Sequence, residues 1–99
     1  GGMRLDEPAA DLAVALALVS ALRDKPVDEN LIAFGEIGLS GEIRAVSFIE
    51  KRIKEAQKLG FTKILVPSRN KITEVPEGIT VIRVSSVSQA IHKIRNNFE

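Results

Sequence analysis

The chain has 99 residues, 44% of them hydrophobic and 27% charged, a length and balance that suit one globular domain and leave no room for a second. It has no cysteine and one histidine, which excludes disulfides, thiolate nucleophiles and cysteine-based zinc sites and leaves too few imidazoles for a histidine metal centre. The longest apolar run, residues 12–19, is far shorter than the roughly 20 residues that span a bilayer, so we expect a cytoplasmic protein without a membrane partner.

The charged residues are unevenly distributed along the chain. Residues 1–42 carry three basic and eight acidic side chains, whereas residues 43–99 carry eleven basic and five acidic ones. Two oppositely charged regions suit head-to-tail packing of identical subunits, or an anion held on one side. A mixed, solvated surface is an equally good interpretation, because folding can intermix the two halves.

The first predicted element is a helix that begins near Asp6, Glu7 and Pro8 and runs to about Leu22. An acidic cap accepts hydrogen bonds from the unpaired amides of the first turn, where proline is also tolerated. Ten of the eleven residues from 12 to 22 are apolar, so we expect a central core helix that is covered on nearly all sides. Two cations and a proline in residues 23–26 end it.

A hairpin and a second helix follow. Residues 31–37 and 42–46 are β-prone and flank a turn bracketed by glycines, which predicts two antiparallel strands joined by a four-residue loop. Apolar residues at helical spacing then predict an amphipathic helix over residues 47–59, capped by Gly60. Its apolar stripe comprises Val46, Ile49, Ile53 and Ala56.

Two short strands and a third helix complete the predicted elements. Residues 63–67 form an apolar run that ends at a proline, and residues 79–84 form another after a loop with proline and glycine. Ser86, three residues before Gln89, predicts a capping box for the last helix. The core face of that helix comprises Val87, Ala90, Ile91 and Ile94. The order α-β-β-α-β-β-α is typical of a mixed α/β (α+β) sandwich, with helices packed against a sheet.

Side chains that carry enzyme chemistry are few and poorly placed. Ser86 is explained as a helix cap, Ser40 as a turn residue and Ser20 as a helix residue whose hydroxyl bonds to its own backbone. His92 lies one residue off the apolar stripe of the last helix, so a solvent-facing histidine is favoured over a catalytic base. Neither of the glycine-rich phosphate-binding motifs occurs, which indicates that this chain has no nucleotide cradle.

One basic constellation stands out on the second predicted helix. Lys51, Lys54 and Lys58 are spaced i, i+3 and i+7, which places them on one face opposite the apolar stripe, and Arg44 is a candidate to extend this ridge. Ammonium groups at this spacing suit successive phosphates of a nucleic acid and bind them without sequence preference. The alternative is an ordinary solvated helix face, since the chain has no tyrosine or tryptophan to stack on bases.

Three ordered blocks of sequence resemble a known family. Residues 1–13 (GGMRLDEPAADLA), 34–44 (FGEIGLSGEIR) and 49–61 (IEKRIKEAQKLGF) together resemble the C-terminal Lon-like domain of the bacterial RadA (Sms) family of DNA repair proteins. The resemblance covers nearly the whole chain. It implies one domain over residues 1–99 with the Lon-protease-like, or ribosomal protein S5 domain 2-like, fold. In that family further strands precede the double glycine, so we expect this chain to begin partway through the domain and to lack those strands.

The same resemblance implies that the catalytic pair of Lon proteases is missing. Those proteases use a serine at the start of the first helix, activated by a lysine on a later helix. Their D-G-P-S-A-G pattern places the serine at Ala9. Their G-G-x-K-E-K pattern falls on residues 47–52 and places its two lysines at Glu50 and Arg52. A methyl group cannot attack a carbonyl, so the resemblance implies no catalytic residue and no enzyme activity in this chain.

A domain of this kind without catalytic residues acts through its shape and its charge, that is, by assembly and by binding. Lon-type domains assemble as closed hexamers, so the resemblance implies a homo-hexameric ring that contacts DNA through the basic ridge. It assigns ATP, magnesium and zinc to other modules of an ATP-driven RadA-like motor, and no cofactor to this chain. Two alternatives stay open: a working Lon-type serine peptidase that uses a displaced hydroxyl, and a protein-interaction adaptor that binds no DNA.

Overall fold

A three-layer arrangement places helices on both faces of a small parallel sheet. The computed structural model describes residues 7–96. Its helices are α1 (Asp11–Arg23), α2 (Ile49–Lys58) and α3 (Val87–Arg95). Its strands are β1 (Leu31–Ala33), β2 (Glu36–Ile37), β3 (Ile43–Arg44), β4 (Lys63–Pro67) and β5 (Thr80–Val84). The expected mixed α/β fold, with helices packed against a sheet, is confirmed.

The main sheet has the strand order β1-β4-β5, with all neighbours parallel. Side chains of β4 alternate between the two faces, as the pleat requires. Ile64 and Val66 pack with the apolar residues of α2, whereas Leu65 packs with those of α1 and α3. All three side chains are completely buried, so β4 is the centre of the core. The predicted bounds of this strand, residues 63–67, are confirmed.

Helix α1 is preceded by a short 3-10 turn, Pro8–Ala10, with proline in its first turn as predicted. The predicted acidic cap Asp6 lies outside the described residues, and Glu7, the residue before the turn, makes no capping hydrogen bond with its side chain. The helix ends at Arg23 because Asp24 adopts the left-handed conformation with φ of 53°. The end of the helix therefore agrees with the prediction to within one residue.

Much of the apolar surface of α1 is uncovered. Leu12 and Leu16 point into the core, but Leu18 is 61% exposed and Leu22 is 87% exposed. The expectation of a helix covered on nearly all sides is therefore wrong for the described part of the chain, because the sheet and α3 pack against one face of α1. No helix within residues 7–96 is long and apolar enough to cross a membrane.

The single strand predicted over residues 31–37 is also wrong, because it is broken at Gly35. The first part, β1, belongs to the parallel sheet, and the second part, β2, pairs with β3 in the predicted antiparallel hairpin. The Gly35 N–H donates to the Ala9 carbonyl, and the Gly35 carbonyl accepts from the Leu12 N–H, both at 3.0 Å. A Cβ at Gly35 would lie 2.7 Å from Cγ2 of Ile43, so only glycine fits there. Three strands thus precede α2, and the described order is α-β-β-β-α-β-β-α.

Helices α2 and α3 lie where their patterns predict them. Helix α2 begins at Ile49, two residues later than expected, because Phe48 is in the left-handed conformation with φ of 59°. The resemblance places a glycine of Lon proteases at this position, the residue type that such a conformation favours. At α3, the Ser86 hydroxyl accepts from the Gln89 N–H as predicted, while the Gln89 amide oxygen accepts from the Ser85 N–H rather than that of Ser86.

Candidate functional site

Ala9, which the resemblance to Lon proteases aligns with their serine, is 6% exposed in the 3-10 turn before α1. Its carbonyl accepts the hydrogen bond from Gly35, so the turn is fixed against the segment that leaves β1. The carboxylate of Asp11, in the first turn of α1, accepts from the Ile37 N–H at 3.1 Å and fixes the end of β2 to the same place. The fold therefore builds a rigid junction here around a methyl group.

Arg52, which the same resemblance aligns with a protease lysine, is connected to this junction by an ion pair. Its Nη1 lies 2.7 Å from Oε1 of Glu7, two residues before Ala9. Its Nε donates to the Ser47 carbonyl at 2.9 Å, which orients the guanidinium toward Glu7. The side chains of Arg52 and Glu7 are 28% and 44% exposed. An ion pair thus joins Arg52 on α2 to the residue that precedes the turn containing Ala9.

Glu50, which the resemblance aligns with the other protease lysine, contacts a different neighbour. Its Oε2 accepts hydrogen bonds from the N–H and the hydroxyl of Thr73 and from the N–H of Glu74, at 2.6, 3.0 and 3.1 Å. The Thr73 and Glu74 amides, followed by the Thr73 hydroxyl, lower the pKa of the Glu50 carboxyl below its ordinary value. Glu50 therefore acts as an anionic anchor for the loop between β4 and β5.

The three ridge lysines lie together on the outer face of α2. Lys51, Lys54 and Lys58 are all exposed, while Ile49, Ile53 and Ala56 on the inner face are buried. Within residues 7–96, none of these lysines forms an ion pair. From Lys51 to Lys58 the helix axis extends about 10 Å, which is close to the axial length of three base pairs of duplex DNA. Apart from the electrostatic interaction of Lys54 with Glu50, their charges are therefore available to an external anion.

Arg44 pairs with acidic neighbours on the hairpin. Its guanidinium nitrogens lie 3.9 Å from carboxylate oxygens of Glu36 and Glu42, and its side chain is half exposed. Arg44 belongs to β3, and its pairing partner across the hairpin is Glu36. The structure therefore assigns Arg44 to a charge cluster of its own, while its role in nucleic-acid binding stays a prediction.

The uneven charge of the two halves of the sequence is intermixed by folding. Ion pairs join carboxylates from residues 1–42 to cations from residues 43–99, namely Glu7 to Arg52, Asp28 to Lys63, and Glu36 and Glu42 to Arg44. The Lys63 side chain also lowers the pKa of the Asp28 carboxyl through its hydrogen bond. The two halves therefore neutralise each other in part within one subunit, and charge division alone does not create two complementary faces.

The hydroxyls considered as nucleophiles have structural partners. The Ser20 hydroxyl donates to the Lys25 carbonyl just beyond the end of α1, and Ser86 caps α3. His92 is exposed as predicted, and its ring nitrogens lie 3.0 and 3.2 Å from the Asn96 amide nitrogen. These contacts are with backbone or amide groups, which agrees with the structural interpretation of each residue.

Sequence reasoning missed a group of polar residues at the edge where β4 and β5 end. Ser68 and Arg69 follow β4, and Ser85 follows β5 directly. The hydroxyls of Ser68 and Ser85 are 3.1 Å apart, although 17 residues separate them in sequence. The available signal was their position after parallel strands, because the carboxyl ends of such strands meet at one edge and commonly form binding sites.

Comparisons with known proteins agree with this architecture. The chain matches the family model of the Lon protease (S16) C-terminal proteolytic domain over residues 1–96. It is 51% identical over 96 residues to the DNA repair protein RadA of Streptococcus pneumoniae, which covers 95% of the chain and 23% of that protein. It is 46% identical over 91 residues to the DNA repair protein RadA of Escherichia coli, which covers 92% of the chain and 20% of that protein.

A third relative, the DNA repair protein RadA of Listeria monocytogenes, is 46% identical over 94 residues, which covers 94% of the chain and 21% of that protein. The chain spans about a fifth of the length of these curated relatives. Its predicted resemblance to the Lon-like domain of RadA is thus confirmed. The chain belongs to the Lon protease (S16) C-terminal proteolytic domain family, as a RadA-like member.

Proposed function

We propose that this chain is a non-catalytic domain of a RadA-like, ATP-dependent DNA repair and recombination protein, where it supports oligomerisation and contacts DNA. The observation that carries the proposal is the use of the former catalytic positions. Ala9 is a buried methyl group, Arg52 forms an ion pair with Glu7, and Glu50 anchors a loop. In this assignment ATP, magnesium and zinc belong to parts of a RadA-like protein outside this sequence, and the chain itself takes no cofactor.

Peptide hydrolysis by a serine and lysine pair needs a hydroxyl that attacks the carbonyl and a neutral amine that accepts the proton of that hydroxyl. Ala9 supplies neither a hydroxyl nor a proton. A guanidinium at Arg52 stays protonated at any physiological pH, so it cannot act as the base. The guanidinium of Arg52 also forms an ion pair with the Glu7 carboxylate, which favours its charged form. These three facts support a scaffold that keeps the protease geometry while its chemistry is absent.

The DNA-contacting part of the proposal is supported by the ridge of Lys51, Lys54 and Lys58. Each lysine that neutralises a phosphate releases a counterion, and the logarithm of the binding constant then falls with the logarithm of the salt concentration by about 0.9 per contact. Three contacts therefore contribute a slope of about 2.7, or roughly a hundredfold in affinity near about 0.15 M salt. Such binding has no sequence preference, because lysine reads charge and not base edges.

The test replaces the three ridge lysines with glutamine, which removes the charge and keeps a good helix former. We expect a loss of up to about 2.7 in the salt slope for duplex DNA, measured by fluorescence anisotropy at several salt concentrations. The matched control neutralises three cations that line the cleft between α1 and α3, namely Arg23, Lys25 and Arg95. An equal loss of slope in the ridge variant and the control would refute a specific role for the ridge.

Oligomerisation is supported by the uncovered apolar face of α1. Leu18 and Leu22 lie one turn apart on an exposed helix surface, and exposed apolar patches commonly mark protein interfaces. We expect light scattering of the chain to show association that the Leu18→Ser, Leu22→Ser variant reduces. Leu39→Ser is the control, because Leu39 is fully exposed in the hairpin turn. A monomer at micromolar concentration would argue against the ring.

The alternatives give different results in the same samples. A working peptidase would cleave casein or a fluorogenic peptide, and replacement of a single serine or threonine would abolish that cleavage. A protein-interaction adaptor would show no salt-dependent DNA binding in either the wild type or the ridge variant. Detection of either result would replace the proposed function with the corresponding alternative.

A further inference from the structure

The carboxyl edge of the main sheet places two hydroxyls side by side. Ser68 and Ser85 directly follow β4 and β5, and the Ser68 N–H donates to the Val84 carbonyl at 2.8 Å. The two hydroxyl oxygens lie 3.1 Å apart, and both residues are exposed. One proton suffices for the bond between two hydroxyls, so the pair retains a second proton for an external acceptor.

The hairpin brings cationic side chains to the same edge. The Ile43 N–H donates to the Ser85 carbonyl at 2.9 Å, and Glu42 forms an antiparallel bridge with Ser86, so β3 runs directly beside the end of β5. Arg44 follows on this strand, and Arg69 follows Ser68 on the neighbouring loop. We name these four residues, which follow or adjoin the ends of β4 and β5, the edge cluster (Arg44, Ser68, Arg69, Ser85).

Glu36 and Glu42 offset part of the charge of this cluster, because a carboxylate oxygen of each lies 3.9 Å from a guanidinium nitrogen of Arg44. The Glu42 carboxylate also accepts from the Ser40 N–H at 3.0 Å. Backbone N–H groups of Glu42 and Ser40 lower the pKa of this carboxyl, and the charges of Arg44 and Arg69 lower it further. One carboxylate is thereby shared between two guanidiniums. Within residues 7–96, Arg69 forms no hydrogen bond or ion pair of its own, so its donors are available.

The loop that carries Ser68 and Arg69 is fixed before any ligand arrives. Nη1 of Arg83 donates to the Asn70 carbonyl at 2.8 Å and reaches the Ser68 carbonyl at 3.4 Å. The Asn70 side chain in turn accepts from the N–H of Val46 and donates to its carbonyl, at 3.0 and 2.9 Å. A loop held on both sides loses little conformational freedom on binding, which favours a preformed site.

We propose that the edge cluster is a phosphate-binding site, in which Arg44 and Arg69 neutralise the anion and the Ser68–Ser85 hydroxyl pair donates its second proton to a phosphate oxygen. Guanidinium groups match phosphate oxygens with paired donors, and hydroxyls add uncharged ones. The source of the phosphate is a nucleic-acid backbone, and in that respect the site rests on the proposed DNA-contacting function. Arg44 then acts with Arg69 at the sheet edge rather than with the lysines of α2.

The first experiment measures duplex DNA binding against salt concentration for the Arg44→Gln, Arg69→Gln variant. Two lost phosphate contacts lower the slope by about 1.8, which weakens binding roughly 30-fold near about 0.15 M salt. The Ser68→Ala, Ser85→Ala variant is expected to bind about tenfold more weakly with an unchanged slope, because hydroxyls carry no charge. Circular dichroism and urea unfolding verify that each variant is folded.

The matched control is the Arg23→Gln, Lys25→Gln variant, which removes the same charge at the opposite end of the sheet. The start of α1 lies beside the residue that follows β1, since the Leu12 N–H donates to the Gly35 carbonyl. The helix then runs about 18 Å to Arg23, well beyond the Debye length of about 8 Å at physiological salt. We expect a much smaller change of slope in this control than in the arginine variant.

The second experiment titrates the wild-type chain with inorganic phosphate while amide signals are followed by NMR. Shifts at Ser68, Arg69 and Ser85 that the arginine variant lacks support the phosphate site, and they do so even if duplex DNA is not bound, in which case only the proposed DNA contact fails. If the arginine variant and the control have equal salt slopes for DNA binding, and phosphate shifts no amide signal, the phosphate site is refuted. That result does not bear on the proposed role of the lysine ridge. Binding of polyglutamate but neither DNA nor phosphate also overturns it, in favour of an acidic protein partner.

Discussion

Breaking the ion pair between Arg52 and Glu7 tests whether Arg52, which the resemblance aligns with a protease lysine, stabilises the fold. The pair connects α2 to the turn that precedes α1, two elements that are more than 40 residues apart in sequence. We examine the variants Arg52→Ala, Glu7→Gln and the double variant. Arg52→Lys is a fourth variant, since lysine is the residue that Lon proteases carry at this position by the resemblance.

The magnitude follows from the exposure of the two side chains. At 2.7 Å the contact is a charge-assisted hydrogen bond, but with 28% and 44% of the side chains exposed, solvent screens it. We therefore expect a coupling free energy of about 0.5–1 kcal/mol, near the upper end for partly exposed pairs. Arg52→Ala also removes the bond from Nε to the Ser47 carbonyl, so its total cost is about 1–2 kcal/mol.

The assay is urea unfolding of all four variants and the wild type at low salt and at about 1 M salt, where the Debye length is only about 3 Å. The coupling is expected to fall at high salt, whereas the contribution of the Ser47 bond stays. Arg52→Lys should be intermediate, because one ammonium cannot reproduce the fork that reaches both Glu7 and Ser47. A coupling below about 0.2 kcal/mol at low salt would show that this pair has no stabilising role.

The remaining predictions concern other contacts in the fold. Gly35→Ala forces a Cβ to 2.7 Å from Ile43 and should destabilise the protein by about 1–3 kcal/mol, seen as a lower urea midpoint; an unchanged midpoint would contradict the close packing. Ser86→Ala removes the cap of α3 and should cost about 0.5–2 kcal/mol by thermal unfolding, with Ser88→Ala, an exposed serine of the same helix, as the control. Because the pKa of Glu50 is lowered in the folded state by amide hydrogen bonds, its contribution is present above its ordinary value of 4.5 and is lost as the pH falls below it. The stability difference between the wild type and Glu50→Gln should therefore shrink between about pH 5.5 and about pH 3, and a constant difference would refute the role of its charge.

Local sequence patterns correctly predicted those helices and strands for which the local pattern and the packing of the whole chain favour the same structure. Residues 63–67 are apolar in an unbroken run that ends at proline, and the strand they form is buried on both faces. Ser86 caps α3 through a bond within four residues, which sequence spacing alone can specify. In such segments no distant contact competes with the local signal, so even the bounds are accurate.

The errors arise where a distant residue decides the outcome. Residues 31–37 are predicted as one strand, but two hydrogen bonds divert the chain from one sheet to the other: the Gly35 N–H donates to the Ala9 carbonyl, and the Leu12 N–H donates to the Gly35 carbonyl. No local signal marks that break beyond the glycine itself. For α1, an apolar surface all round predicted burial, yet periodicity cannot show how much of that surface the rest of the chain covers.

The candidate site was predicted only in part for the same reason. Lys51, Lys54 and Lys58 share one helix, so their common face follows from spacing. Arg44 was assigned to them by proximity in sequence, although its ionic partners lie on the hairpin. The pairing of Ser68 with Ser85 depends on the parallel register of β4 and β5, which is visible only once the strands are placed side by side.

Because β4 is the central strand, β1 is synthesised before the strand with which it pairs. Leu31 in β1 pairs with Lys63 in β4, so the first edge strand is synthesised 32 residues before its partner. At about 5–20 residues per second, the nascent chain spends roughly 2 to 6 seconds with an apolar first helix and an unpaired strand outside any finished core. Chaperones that recognise short apolar segments can bind the nascent chain during that interval. Translational pausing before residue 63 would prolong the exposure of its apolar helix and unpaired strand.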